Sequence, residues 1–291
     1  MEQLITKAAV LLEALPYIQK FNGATFVVKY GGSFMDSPDP AIRQGVARDV
    51  VFLEAVEINP VVVHGGGKAI SRAMKEAGLS PEFKHGHRVT DEKAVELVNE
   101  VLSNQINPEI VATINELGGA AKGFAGKDIF TCRRKAVPGE DGEMIDIGFV
   151  GEVVDVNIGP LRECIAKGIT PVISPTATGE DGRLYNCNAD VAAAMTAKAL
   201  TAKRLVFMSD VPGLLQNPED PESVISHLRV QDVTDLKRRG IIAAGMIPKV
   251  DSATAAIEAG VDKVSFVDGR VNHAVLLEIF TDKGVGTEIV L

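Results

Sequence analysis

Tryptophan is absent from the 291-residue chain, and tyrosine occurs three times. So few flat, polar-edged rings leave no stacking platform for single-stranded nucleic acid. Cysteine is scarce too: Cys132, Cys164 and Cys187 are odd in number and lack metal-ligand spacing. A disulfide framework is excluded, and a reduced cytoplasmic setting is the expectation. No apolar run approaches the roughly 20 residues of a membrane-spanning helix. The first residues, with Glu2 and Glu13, do not follow the basic, apolar, small-residue order of a leader peptide. Also missing are a Walker A loop, a G-x-G-x-x-G fingerprint, an H-E-x-x-H pair and a nucleophile elbow. The five histidines do not cluster with cysteines, so no metal cage of protein side chains is expected. Positive charge is in deficit, and the net charge of −9 argues against nucleic acid or an anionic membrane as partner. It leaves room for a small anion held by local lysines.

What the chain does have is apolar content of 46% and three glycine-rich junctions that each follow an apolar run. Thr25–Tyr30 leads into Gly31-Gly32-Ser33, Pro60–His64 into Gly65-Gly66-Gly67-Lys68, and Arg204–Asp210 into Val211-Pro212-Gly213. Short β-branched runs read as strands buried on both faces. Glycine directly after such a strand lets backbone N–H groups approach an anion with no Cβ in the way. Helices are expected over 40–57, 68–78, 91–117, 160–167, 189–201, 232–239 and 249–259, with Pro108 bending or splitting the long one. Further strands are expected at 149–156, 169–174, 263–267 and 288–291. This alternation predicts an α/β three-layer sandwich around a mainly parallel sheet, with ligands beyond the carboxyl ends of the strands. Pro138–Gly142 and Gly179–Gly182 read as turns. Residues 1–22 read as a separate helical arm carrying Leu4, Ala8, Leu11, Leu15 and Ile18 on one stripe, with Pro16 kinking it or ending its first part. That stripe packs either on its own domain or on another subunit.

Six places can carry chemistry, and all but the Ser209-Asp210 junction have a plainer alternative. Lys29, at a strand end before two glycines, reaches an anion in the turn or simply faces outward. His64-Gly65-Gly66-Gly67 opens a helix whose N-terminal dipole favours an anion, or is a tight turn. Arg88 precedes the helix cap at Thr90-Asp91 and can grip a carboxylate through two N–H groups, or lie on the surface. Asn186, Asn188 and Asp190 can bind a polar ligand, orient lysines or cap the following helix. Ser209-Asp210 precede Val211-Pro212-Gly213 at the third junction. Lys249, after Gly245-Met246-Ile247-Pro248, stands at a helix start where a cation opposes the dipole, which calls for a compensating anion such as phosphate, or is simply solvated.

Taken in order, Lys29-Tyr-Gly31-Gly32, His64-Gly-Gly66-Gly67, Gly86-His-Arg88-Val-Thr, Asn186-Cys-Asn188-Ala-Asp190, Ser209-Asp210-Val-Pro-Gly213 and Gly245-Met246-Ile-Pro-Lys249 resemble the amino-acid kinase family, and within it the acetylglutamate kinases. The resemblance runs over essentially the whole chain. It implies phosphoryl transfer from ATP, with Mg2+ arriving on the nucleotide, to the side-chain carboxylate of N-acetyl-L-glutamate. It assigns Lys29, Lys249 and Asp190 to catalysis, and Gly31 and Gly32 to the phosphoryl group. Gly66, Gly67, Arg88, Asn186 and Asn188 go to the acylated substrate, and Ser209, Asp210, Gly213 and Met246 to the nucleotide. The implied division is an arm over 1–22, an acceptor lobe over 23–188 and a nucleotide lobe over 189–291. His87 departs from the pattern, where the family more often has leucine. A sibling kinase acting on another acidic substrate, or a non-catalytic amino-acid sensor, are the rival readings.

The two ends carry a second resemblance, to arginine-inhibited members of the family. Leu11–Ile18 resembles their additional N-terminal helix, and His273–Thr287 their effector signature. This implies L-arginine as inhibitor, with Tyr17, His273, Glu278, Gly284 and Gly286 at its site, and a homohexamer built as a trimer of dimers through the arm. A PII-type nitrogen regulator is a candidate partner on the same ground.

Overall fold

The computed structural model describes all residues except 33, 34, 36, 38, 140, 141, 218, 243 and 244; at 2–4 and 7 it describes the backbone alone. Ser33 of the first junction, Glu140-Asp141 of the first expected turn and the Leu4 side chain of the arm's stripe therefore lie outside the described residues.

In chain order the elements are α1 (Glu2–Phe21), β1 (Thr25–Tyr30), α2 (Pro40–Ala55), β2 (Asn59–His64), α3 (Gly67–Glu76), β3 (Phe83–Lys84), β4 (His87–Arg88) and α4 (Glu92–Asn99). A π-helical stretch (Glu100–Ile106) leads into α5 (Asn107–Glu116), β5 (Ala121–Phe124), β6 (Phe130–Pro138), β7 (Met144–Val156), α6 (Gly159–Ala166), β8 (Thr170–Ile173), β9 (Thr176–Gly179) and β10 (Leu184–Cys187). Then come α7 (Ala189–Leu200), β11 (Arg204–Ser209), β12 (His227–Arg229), α8 (Val233–Arg238), α9 (Ile247–Glu258), β13 (Lys263–Asp268), α10 (Ala274–Ile279) and β14 (Thr287–Val290).

Eight strands form one sheet in the order β12-β14-β13-β11-β1-β2-β8-β5. Every pair is parallel except β13/β14. Residues 25–173 supply one half and 204–290 the other, and they meet where β1 lies beside β11, with Lys29 opposite Phe207. Alternate residues of β1 feed two different cores. Val27 joins Ala193, Ala197, Val250 and Ile257 on one face; Phe26 and Val28 join Val50, Leu53, Ile114 and Val275 on the other. Two buried faces explain why these strands read as continuous apolar runs. The three-layer expectation is thus met.

Two local expectations are corrected. Phe149–Val156 is not part of the main sheet: β7 pairs antiparallel with β6, and together with β9 and β10 they close a small barrel. A long local hairpin satisfies its own backbone and has no need of the central sheet. Residues 184–187 form strand β10, and the helix expected over 189–201 begins, as expected, after Asn188, whose side chain accepts from the N–H groups of Asp190 (2.7 Å) and Val191 (3.3 Å). The long helix over 91–117 is split by winding into α4, the π stretch and α5, with helical dihedrals across both junctions and Pro108 in the first turn of α5. Pro16 does not end α1, which runs through it. Ala14, Tyr17, Ile18 and Phe21 pack against the body of the chain, whereas Ile5, Val10, Leu11, Leu12 and Leu15 are exposed. Strands β3 to β6, β9, β10 and β12 are short or polar enough that the apolar-run pattern passes over them.

Candidate active site

Lys29 is the penultimate residue of buried β1 and Asp190 stands in the first turn of α7. Their charged atoms lie 3.1 Å apart, and Lys249 Nζ reaches the other oxygen of Asp190 at 2.6 Å. All three side chains are largely shielded, at 9%, 10% and 21% exposure. Burial lowers the pKa of Lys29, with Asp190 opposing that effect. Burial works to raise that of Asp190, but the attraction of Lys29 and Lys249 outweighs it and holds the carboxylate ionised. The anion that compensates Lys249 at the start of α9 is thus Asp190. One carboxylate between two ammonium groups still leaves positive charge in a shielded place, which suits an incoming anion.

The first two glycine turns face each other beside this cluster. Gly65 N–H donates to the carbonyl of Tyr30 (2.7 Å), which ties the second turn to the end of the first. A Cβ on Gly31 would stand 2.8 Å from Lys29 Nζ and 3.3 Å from Gly65 N, so only glycine leaves the ammonium its place. A Cβ on Gly66 would stand 2.6 Å from both Leu102 and Ile106, side chains that the π stretch presses against the turn. Gly66 caps α3, and the N–H groups of Gly66 and Gly67 have no intramolecular acceptor among the described residues. They are the free donors of a helix N-terminus. The turns open on a cleft of about 700 Å³ lined by Lys29, Gly31, Gly32, Gly65–Gly67, Arg88, Asn186, Asn188, Asp190 and Asp210.

Arg88, on β4, is buried at 7% exposure. One guanidinium nitrogen donates to Gly67 O (2.9 Å) and Ser71 Oγ (2.8 Å), and the group lies 4.7 Å over the ring of Phe83. It is thereby braced on the first turn of α3, and burial lowers its pKa. Thr90 bonds back to the carbonyl of Arg88 (2.8 Å) and accepts from Asn186 Nδ2 (3.4 Å). Asn188 spends its side-chain oxygen on the α7 cap and also lines the cleft. His87 also lines the cleft, half-buried, and burial lowers its pKa, with Lys135 adding to the effect.

Of the four residues assigned to the nucleotide, Asp210 lines the cleft, while Ser209, Gly213 and Met246 do not. Ser209 ends β11 and its hydroxyl donates to Val211 O (3.2 Å); Gly213 backs onto Thr287, and Met246 caps α9 one turn before Lys249.

The effector signature surrounds a different spot. Tyr17, from α1, donates to Asp282 and sets its ring edge-on to Phe280, with centroids 6.4 Å apart. Glu278 accepts from Val285 N–H (2.9 Å), so its carboxylate already braces the turn that holds Gly284 (φ +63°). Gly286 lies against the carbonyl of Phe266. His273 reaches α2, with Nδ1 2.7 Å from Asp49 Oδ1. Burial raises the Asp49 pKa to about 6, against the lowering effect of His273 and of the Val275 and Leu276 N–H groups.

Ser71 and Asn107 carry no signal in the sequence, Thr90 reads only as part of a helix cap, and His64 only as part of its turn. No local pattern marks Ser71 or Asn107, because their partners Arg88 and His64 are distant in the chain.

The model of the amino acid kinase family matches residues 24–268. Acetylglutamate kinase of Thermoanaerobacter sp. (strain X514) is 47% identical over 285 residues, covering 98% of this chain and 93% of its own. That of Heliobacterium modesticaldum is 46% identical over 295 residues, covering 99% of each. Among solved structures, N-acetylglutamate synthase from Neisseria gonorrhoeae, complexed with coenzyme A and N-acetyl-glutamate, superposes with a TM-score of 0.84 at 24% identity. The alignment covers 98% of this chain but 63% of the synthase, so the chain spans less than two thirds of that protein. Giardia carbamate kinase superposes with a TM-score of 0.66 at 14% identity, a likeness of fold. With more than four fifths of its length inside the family model and close relatives along almost all of it, this chain belongs to the amino acid kinase family.

Proposed function

We propose that this chain is a carboxyl-group kinase that transfers the terminal phosphoryl group of ATP to the side-chain carboxylate of N-acetyl-L-glutamate, giving N-acetyl-L-glutamyl 5-phosphate for arginine biosynthesis. The observation that carries the reading is the shielded Lys29–Asp190–Lys249 cluster facing two glycine turns, in a chain nearly half identical to acetylglutamate kinases along its whole length. A loose phosphoryl-transfer transition state asks for alignment and charge neutralisation more than for covalent help. A carboxylate oxygen of the acceptor attacks the γ-phosphorus, the bond to the β–γ bridging oxygen breaks, and ADP leaves. Lys29 and Lys249 neutralise the transferring group and the leaving oxygens, and Asp190 holds both ammonium groups. The N–H groups around Gly32 and Gly66 meet the equatorial oxygens. Arg88 clamps the α-carboxylate of the acceptor, beside Gly67, and Asn186 with Asn188 fixes the acetylated end.

In this reading residues 23–188 form the acceptor lobe and 189–291 the nucleotide lobe, with Ser209, Asp210, Gly213 and Met246 around the adenosine side. Among the described residues no group of three side chains suits a metal, and Asp190 is already paired to two lysines, so the donor set fits a polyphosphate. Mg2+ comes bound to ATP and supplies further charge neutralisation there. L-Arginine inhibits from a site bounded by Tyr17, Glu278 and the Gly284–Gly286 turn, and the exposed apolar residues of α1 join dimers into a hexamer. No helix among the described residues is long and apolar enough to cross a membrane, which agrees with a cytoplasmic enzyme. ATP-dependent phosphorylation of N-acetyl-L-glutamate, assayed with and without L-arginine, tests the whole. Activity on a different acid in its place overturns the substrate, and activity indifferent to arginine overturns the effector site.

A further inference from the structure

We propose that His64 is a positioning residue for phosphoryl transfer, holding the Gly65–Gly66 peptide so that the Gly66 N–H faces the reacting phosphoryl group; the inference rests on the function proposed above. His64 closes β2 and is fully buried. Its Nδ1 lies 2.8 Å from the carbonyl oxygen of Gly65, and its Nε2 lies 3.2 Å from Nδ2 of Asn107.

The proton positions follow from the partners. Asn107 Nδ2 is also 2.9 Å from the carbonyl of Val172, an oxygen that only accepts, so the Asn107 group there is the NH2. An amide NH2 only donates, which makes His64 Nε2 the acceptor. The ring proton therefore sits on Nδ1 and donates to Gly65 O. Burial lowers the His64 pKa to about 4, and the imidazole stays neutral in this tautomer.

Both polar groups of Gly65 are then committed: its N–H to Tyr30 O and its C=O to His64. No peptide among the described residues is cis. In a planar trans unit the C=O and the following N–H point in opposite directions. With the Gly65 carbonyl drawn toward buried His64, the Gly66 N–H is turned to the other side, where Gly65 and Gly66 line the cleft. Glycine is free to adopt many other orientations here, so something must choose one. Leu102 and Ile106 restrict Gly66 by contact, and His64 sets the peptide plane by hydrogen bond. Asn107, the residue that follows the π stretch, keeps the ring in the donating tautomer.

Steady-state kinetics on the full chain with ATP and N-acetyl-L-glutamate test this, using His64→Leu, His64→Asn, Asn107→Leu and the double variant His64→Leu with Asn107→Leu. His64→Leu is expected to lower kcat roughly 10–100-fold, the scale of a misplaced oxyanion donor, with both KM values within about threefold. His64→Asn, whose amide nitrogen replaces Nδ1 as donor, is expected to regain most of the loss. Asn107→Leu shifts kcat in the same direction, and the double variant is no worse than His64→Leu, since Asn107 acts through His64. A folded His64→Leu protein with native kcat, a loss confined to KM, or a His64→Asn protein as slow as His64→Leu overturns the inference. Should His64→Leu not fold, an Asn107→Leu protein with native kcat overturns it in its place. Native protein inactive on N-acetyl-L-glutamate in the same assay strikes the proposed substrate instead.

Discussion

Lys249 and Asp190 are 59 residues apart in the chain, and their charged atoms meet at 2.6 Å, each from the first turn of its own helix. The two helix starts suit these charges unequally. The dipole of α7 favours the carboxylate, whereas that of α9 opposes the ammonium. Pairing them lets one carboxylate hold two lysines, because the second oxygen of Asp190 remains for Lys29 at 3.1 Å.

Lys29→Ala and Lys249→Ala should each lower kcat by at least about 100-fold while changing substrate affinity little, since their charge matters most when charge develops in the transition state. Asp190→Asn should do the same and in addition lose stability, because it leaves two shielded ammonium groups together. Initial rates and thermal unfolding measure both effects; near-native turnover in either lysine variant would discard the catalytic assignment.

Arg88→Ala should raise the KM for N-acetyl-L-glutamate by roughly 10–100-fold, the size of a lost charge-assisted pair, and leave the KM for ATP nearly constant. Arg88→Lys should not restore it. A single ammonium cannot hold Gly67 O and Ser71 Oγ and still present a second N–H to the substrate. Equal effects on both substrates would show that the residue serves the fold alone.

His64 ties stability to pH. Its folded pKa is lowered, from 6.5 to about 4, so between these values the unfolded chain binds a proton that the folded chain refuses. Stability then rises with pH through this window and is fully present above 6.5; the change amounts to roughly 3 kcal/mol. Asp49, raised to about 6, works in the opposite sense over an overlapping range, so the native profile alone does not isolate either group. Unfolding free energies of native and His64→Asn proteins across pH 4–7 should differ in slope, the variant losing less stability on acidification. Parallel curves would contradict the neutral, buried imidazole.

Removing residues 1–20 takes away Tyr17 and with it the bond to Asp282 and the contact with Phe280. The truncated chain should keep its kinase activity, lose inhibition by L-arginine and sediment as a smaller assembly. Tyr17→Phe should weaken inhibition several-fold without altering assembly, since the exposed apolar residues of the arm remain. Full inhibition in the truncated protein would remove the arm from the effector site.

Local sequence determined a good deal. Apolar runs bounded by glycine declare the central strands because burial on both faces demands such runs, as Val27 and Val28 show by feeding two cores. Helix ends are legible because Asn188 and Asp91 cap with their own side chains, and the residues of the cluster are legible because their order is that of a known family. The sequence could not say which strands leave the main sheet: β6 and β7 pair with each other, a choice between two partners of similar propensity that only the whole topology decides. Nor could it say that Asp190 is what compensates Lys249, or that a histidine beside three glycines finds Asn107 43 residues on. Such contacts depend on side chains brought together across the fold, where shielding from water makes each pairing consequential.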